Sequence, residues 1–327
     1  MDSQKLRIVL PGGSGQVGHL LAQHFHAQGH AVTVFSRSPR PVPWRVVAWD
    51  GSAGSASQSS SWINELERAD VCINLSGRSV NCRYNAANRR EIYDSRICTT
   101  RRLNEVIAAM PNPPRLWLNM STATIYRHDL DRPMDEATGE LGGNEPGAPA
   151  SWNFSIGVGR DWEDAFFSAS TPRTRKIAMR SAIVLSPGRG GIFEALLNLV
   201  RWGLGGKVGT GRQFVSWIHG EDFVRTVDWL IAHEDLSGVV NLASPNPLPN
   251  QDFMRAFREA WGARIGLPAS GPVLELGCFL MRTESELVLK NRRAVPGRLL
   301  ESGFKFLFPE WPDAVRDLVA RWKKEGQ

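Results

Sequence analysis

The chain has 327 residues, enough for one large domain or two modest ones, and its hydrophobic fraction of 42% is that of a globular protein. A formal net charge of +6 is small for this length, and the basic residues are spread out apart from pairs such as Arg101-Arg102 and Arg292-Arg293, so a solvated surface is expected rather than nucleic-acid binding. Cys72, Cys82, Cys98 and Cys278 show no Cys-x-x-Cys pairing and no histidine at ligand spacing, which argues against a zinc site and a disulfide frame. No metal is expected. No leading basic-then-apolar segment and no apolar run of membrane-spanning length is seen, so a cytoplasmic protein without membrane contact is expected.

The first elements are the most informative. Residues 5–11 form a short apolar run of the buried-strand kind, followed at once by Gly12-Gly-Ser-Gly15-Gln-Val-Gly18. Residues 19–28 place Leu20, Leu21 and Phe25 at helical spacing, and Gly29 supplies a left-handed stop. Residues 31–35 read as a second strand. Strand, glycine turn, helix and strand together are the context that gives a glycine motif meaning. Gly12 permits the tight turn, Gly15 lets backbone approach a pyrophosphate, and Gly18 allows close packing of helix on sheet. The helix N-terminus offers free N–H groups and partial positive charge to the phosphates.

The end of the second strand selects the cofactor. Asp or Glu there would bind a ribose 2′-hydroxyl; the chain instead has Ser36-Arg37-Ser38-Pro39-Arg40. Arg37 suits a 2′-phosphate, which favours NADP(H) over NAD(H). Arg40 either joins that contact or stands solvated in the loop.

Further on, 45–49 is a short strand, 51–61 a Gly/Ser/Ala-rich surface loop, 62–68 a brief helix and 71–77 a buried strand whose end faces the cofactor. A long arginine-rich helix, 86–110, is stopped by Pro111-Asn-Pro-Pro114. Residues 116–121 form a strand, 127–150 a loop over the site, 153–168 contain a helix and 176–185 a strand. Alternating strands and helices imply a parallel, doubly wound α/β sheet of Rossmann type. Residues 192–201 are helical, 203–211 a glycine-rich loop, 214–219 a strand, 222–233 a helix capped by Asp222, and 239–243 a last sheet strand. Asn250 caps a helix that Gly262 ends, and 311–324 form an amphipathic helix. The expected division is a dinucleotide-binding domain of 1–185 and 213–244, with 186–212 and 245–327 forming a smaller, mainly helical C-terminal lobe that makes a cleft with the sheet.

On these motifs the chain resembles the atypical extended short-chain dehydrogenases/reductases, in the NAD-dependent epimerase/dehydratase-like group called epimerase family proteins, or nucleoside-diphosphate-sugar epimerase-like proteins. The glycine motif, Asn74-Leu-Ser-Gly77 and Ser121-Thr-Ala-Thr-Ile-Tyr126 are general to the superfamily. Asp94-Ser-Arg-Ile97, Asp161-Trp-Glu163, Gly209-Thr-Gly-Arg-Gln213 with Ser216-Trp-Ile-His219, Asn241 with Pro245-Asn-Pro247, and Leu299-Leu-Glu-Ser-Gly-Phe304 are specific to the group, the last lying in its C-terminal domain of unknown function. The resemblance implies a sheet of about seven strands, NADP(H) as cofactor, and a homodimer formed through the 86–110 helix. The cofactor set is then Gly12, Ser14, Gly15, Gln16, Val17, Gly18, Arg37, Ser38, Leu75, Ser76, Gly77, Met120, Ser121 and Ile183.

Reductases of this superfamily use a Ser or Thr, a Tyr, and a Lys four residues after the Tyr. Thr122 fits the first position, but Ser155 and Gly159 fall where the Tyr and Lys belong. The proton relay is missing. Tyr126, at the end of the strand carrying Thr122, is either a replacement acid or a packing residue, and Thr122 and Tyr126 are the catalytic candidates. His219 and Asp222 lie near the cleft edge. Arg96 and Arg160 either contact cofactor phosphates or hold acidic neighbours. The glycine loops at 188–191 and 203–211 carry Arg189, Lys207 and Arg212, which either take an anionic small-molecule substrate or are solvated hairpin charges.

Overall fold

The computed structural model describes residues 5–51, 56–143, 145, 149–270 and 284–325. Seven parallel strands make the central sheet: β1 (Arg7–Pro11), β2 (Ala31–Ser36), β3 (Arg45–Ala48), β4 (Val71–Asn74), β5 (Leu116–Thr122), β6 (Arg175–Ser181) and β10 (Gly238–Leu242), in the spatial order β10-β6-β5-β4-β1-β2-β3. The chain runs one way from β1 through β2 to β3 and the other way from β4 onward. A crevice therefore opens at the carboxyl ends of β1 and β4, where ligands bind in such sheets.

Strand side chains alternate between two cores. Ile8, Leu10, Val71, Ile73, Leu116 and Leu118 face one side, with Leu21 and Phe25 of α1 (Gln16–Ala27) and Phe223, Val227 and Leu230 of α6 (Gly220–Ala232). Val9, Cys72 and Trp117 face the other, with Trp62 and Leu66 of α2 (Ala56–Glu67), Leu103 and Ile107 of α3 (Ala86–Ala109) and Phe166 of α4 (Asn153–Phe167). A third core joins α5 (Ile192–Arg201), α7 (Asn250–Trp261) and the C-terminal helix Trp311–Glu325 around Phe193, Phe257 and Trp311. Leu299 and Phe304, also C-terminal, belong to the first core and so pack onto the sheet domain.

Several expectations need correction. The 51–61 stretch is not all loop, because α2 begins at Ala56 and residues 52–55 lie outside the described set. Trp62 and Leu66 are 1% and 0% exposed, and that burial carries the helix through a serine-rich start of poor propensity. The 176–185 strand breaks at Ala182, whose N–H turns to Leu242 O, so that β7 (Ile183–Leu185) pairs instead with β9 (Trp217–His219). The 214–219 strand likewise breaks at Ser216, and its first part, β8 (Phe214–Val215), pairs with β11 (Leu248–Pro249). His219, not Asp222, caps α6, its Nδ1 accepting from Glu221 N at 3.1 Å. Asp222 lies inside the helix, fully buried, and accepts from the backbone N–H groups of Leu307 and Phe308 at 2.8 Å. Asn250 is the first residue of α7 and its side chain accepts from Val208 N, while Gly262 ends the helix at φ 90° as expected. Cys278 lies outside the described residues.

Candidate active site

The glycine turn is fixed by collisions. Gly12 has φ 73° and donates to Phe35 O at 2.9 Å; a Cβ there would lie 2.6 Å from Ser76 Cα, so the turn presses on the loop after β4. A Cβ on Gly18 would lie 2.3 Å from Gly13 O, which makes the turn itself, more than the sheet, what Gly18 must clear. Gly15 differs. It caps α1 without a side-chain bond and nothing lies within 4 Å of a Cβ built on it. No acidic residue lies in the first turn of that helix. Gln16 reaches sideways, its Nε2 donating to Ser186 Oγ at 2.9 Å, and a Cβ on Gly191 would strike it at 2.1 Å. The 188–191 turn, with exposed Arg189, therefore lies against the α1 N-terminus.

Beside this turn is a cavity of about 340 Å³ lined by Ser14, His19, Ser36, Arg37, Ser38, Arg40 and Trp44 among others. It holds two guanidinium groups and no carboxylate. Such a lining fits a ribose 2′-phosphate and repels nothing in it. His19 and Trp44, ring centroids 5.1 Å apart, give it an aromatic wall.

At the end of β4, Asn74 Nδ2 donates to Asn119 Oδ1 at 2.7 Å, and Asn74 Oδ1 accepts from Ser76 N. The hydroxyl of Ser76 is buried with no hydrogen-bond partner. A buried hydroxyl without a partner is costly, and here it lies at the crevice mouth, where a dinucleotide would satisfy it. Open space at Gly15, the partnerless Ser76 hydroxyl and the Arg37 cavity together fit a phosphorylated dinucleotide. Leu75 and Gly77 share that loop; Ser38 lines the cavity; Val17 lies in the first turn of α1; Ile183 is half-buried on β7. Met120 packs in the core, and Ser121 donates to Glu163 Oε1 at 2.6 Å, where Arg180 also grips both carboxylate oxygens at 2.7 and 2.8 Å.

The catalytic candidates have different surroundings. Thr122 Oγ1 accepts from Thr124 N at 3.1 Å, leaving its own proton available. Gly159 packs against it, with a built Cβ 3.2 Å from Thr122 Cγ2. Any side chain at 159 would press on Thr122 and Ile125, which would have to give by a few tenths of an ångström. Tyr126 is 3% exposed, donates to Asn241 Oδ1 at 2.9 Å, and lies under the Arg180 guanidinium. Burial pushes its phenol pKa up. Ser155 Oγ lies 3.2 Å from Trp152 O, to which it can donate, and is also hydrogen-bonded to the buried carboxyl group of Glu286.

Arg96 and Arg160 are hydrogen-bonded to backbone carbonyls rather than to acidic neighbours. Arg96 donates to Ile92 O and Arg78 O beneath Gly77, and burial lowers its pKa to about 10; Arg160 donates to Gly142 O. Both hold loops by their carbonyls. Arg189 and Lys207 have different surroundings. Arg189 is on the turn against Gln16, while Lys207 lines a separate cavity of about 410 Å³ with Arg255 and Arg258. Sequence reasoning missed Glu286, Lys290 and Arg292, which surround Ser155 and Thr124; their local signal is only a run of charges in the C-terminal region.

These features define a Rossmann-type dinucleotide-binding protein with an altered short-chain dehydrogenase/reductase site. Residues 8–149 match the NAD dependent epimerase/dehydratase family, and residues 269–318 match a domain of unknown function, DUF1731. The chain is 31% identical over 321 residues to the epimerase family protein SDR39U1 of Bos taurus, covering 96% of this chain and 100% of that one. The crystal structure of human epimerase family protein SDR39U1 (isoform 2) with NADPH superposes with a TM-score of 0.80 at 28% identity, over 96% of this chain and 99% of that one. A nucleoside-diphosphate sugar epimerase from Corynebacterium glutamicum follows, with a TM-score of 0.74 at 26% identity, over 99% of this chain and 62% of that one. The chain belongs to the NAD dependent epimerase/dehydratase family, among its epimerase family proteins. Among the described residues, no helix is long and apolar enough to cross a membrane, and no cluster of His, Cys, Asp or Glu could hold a metal.

Proposed function

We propose that this protein is an NADP(H)-dependent oxidoreductase or epimerase acting on a small, polar substrate of the sugar-nucleotide kind. The cofactor is NADP(H). The observation that carries this is the carboxylate-free cavity with Arg37 and Arg40, in a chain that matches an NADPH-bound relative along nearly its whole length. The first turn of α1 receives the pyrophosphate and Ser76 Oγ gains a partner there. The nicotinamide, when bound, supplies hydride exchange with a substrate carbon. Thr122, with its hydroxyl proton uncommitted, donates to the substrate oxygen. Arg189, on the turn beside the α1 N-terminus, is our candidate for holding an anionic substrate group; Lys207 and Arg212, beyond α5 in the second glycine-rich segment, are further candidates.

The test is NADPH oxidation, with NADH as comparator, against a panel of carbonyl compounds and sugar nucleotides. Turnover with NADPH supports the reading. The absence of Tyr and Lys from α4 favours a second reading, a nucleotide-responsive regulatory protein, for which tight NADPH binding without turnover on any substrate is the expected result.

A further inference from the structure

The C-terminal region fills the place that α4 leaves empty. Residues 284–295 are clasped across the end of β5. Glu284 Oε1 accepts from Tyr84 N at 2.6 Å, Phe214 N donates to Asn291 Oδ1 at 2.6 Å, and Met134 exchanges backbone bonds with Arg293 and Val295 at 2.8 and 2.9 Å. From this clasp three charged side chains converge on Ser155 and Thr124. Glu286 Oε1 is hydrogen-bonded to Ser155 Oγ. Lys290 Nζ donates to Thr124 O at 2.8 Å and lies 3.9 Å from Glu286 Oε1. Arg292 Nε donates to Thr124 Oγ1 at 3.0 Å, and Thr124 N in turn donates to Thr122 Oγ1.

Glu286 is 5% exposed, and its second oxygen, Oε2, is buried with no partner. An ionised carboxylate with one bare buried oxygen is unfavourable, so burial raises its proton affinity. Burial also lowers Lys290 to about 7, helped by Arg292 and opposed by Glu286 and Glu145. The Tyr84 phenol, facing Glu286, is pushed up, by burial first. Glu284 and Arg292 complete the charged surroundings, with Arg96 behind Tyr84. Burial thus disfavours the charged forms of Glu286 and Lys290 in this pocket.

We propose that Ser155 and Glu286 form the proton-delivery site of this protein, with Lys290 and Arg292 as positioning residues, so that the C-terminal domain supplies the acid missing from α4. This rests on the oxidoreductase reading above. With Glu286 protonated, Oε1–H donates to Ser155 Oγ, and the serine O–H then rests on Trp152 O, from which it turns to a ligand oxygen. When hydride from NADPH reaches a carbonyl carbon, the C=O π pair goes to oxygen and the oxygen takes the Ser155 proton. Ser155 takes the Glu286 proton, and the carboxylate left behind is balanced by Lys290 and Arg292. Alcohol oxidation with NADP⁺ runs the same steps backward.

Two measurements decide it. On cofactor-free protein, infrared spectra with isotope-labelled glutamate should show a protonated carboxyl band that titrates above the ordinary glutamate range and is missing in E286Q. A Glu286 ionised across that whole range overturns the proposal. In turnover of whichever carbonyl the NADPH panel identifies, E286Q and S155A should each lower kcat about 10²-fold or more and remove the limb of the pH profile set by Glu286, with E286D restoring part. NADPH affinity should stay unchanged in both variants. S155A, which leaves the clasp intact, keeps the test open if E286Q misfolds. Wild-type turnover matched by E286Q or S155A rejects the site while sparing the oxidoreductase reading; a wild type that binds NADPH and turns over nothing removes that reading and the proposal with it.

Discussion

The hydroxyl of Tyr126 donates to the side chain of Asn241, tying the turn after β5 to edge strand β10 at 2.9 Å. Asn241 also donates to Met134 O and Val295 O, so one buried amide gathers three segments. Of the two roles open to Tyr126, this geometry favours the brace. Tyr126→Phe would leave Asn241 Oδ1 without its donor, at a cost of about 1–3 kcal/mol. Chemical denaturation should show that loss, and NADPH turnover should stay within a few-fold of wild type. A fall near 100-fold with unchanged stability would return Tyr126 to the acid role.

Arg37 should decide the choice of cofactor. It is exposed at the rim of a cavity with no carboxylate, so its contribution comes from pairing with the 2′-phosphate. Arg37→Asp removes a charge-assisted bond, about 1.5–3 kcal/mol, and adds repulsion. Calorimetry should show NADPH affinity falling at least tenfold while NADH affinity changes little. Equal wild-type affinities for the two would defeat the assignment.

Much of this was legible in the sequence, because the signals are local. The β1 to β2 unit has apolar runs, a glycine turn and a glycine stop within thirty-odd residues, and an arginine rather than an acid follows β2. What was not legible depends on contacts far apart in the chain. At the strand breaks Ala182 N donates to Leu242 O and Ser216 Oγ donates to Arg292 O, and no local pattern marks these partners. Asp222 has the look of a cap, yet serves backbone eighty-five residues away. Glu286 and Ser155 are 131 residues apart, and only the clasp across β5 brings them together.

The glycines separate a cofactor effect from a folding effect. Gly15→Val puts a side chain into open space, so the fold should survive with its thermal midpoint nearly unchanged, while dinucleotide binding is lost. Gly18→Val, by contrast, drives a Cβ to within 2.3 Å of Gly13 O and should unfold the turn itself. Retained NADPH binding in Gly15→Val, by fluorescence titration, would mean that the motif is only a turn.

Lys290 should leave a mark on the pH dependence of stability. Its side chain is 0% exposed, and its folded value near 7 lies below the ordinary 10.5 that it regains on unfolding. Between those values the unfolded chain holds a proton that the folded chain does not, so this residue's contribution to stability rises with pH across the window and is lost as pH falls toward 7. Glu286 has the opposite displacement, raised from 4.5, so its contribution falls as pH rises from 4.5 to that raised value. Lys290→Met keeps the chain length, removes the charge, and gives up the bond to Thr124 O. The difference in unfolding free energy, wild type minus variant, should therefore grow from pH 7 to pH 10 in denaturant titrations. A difference that stays flat over that range would mean that Lys290 keeps its proton in the folded state.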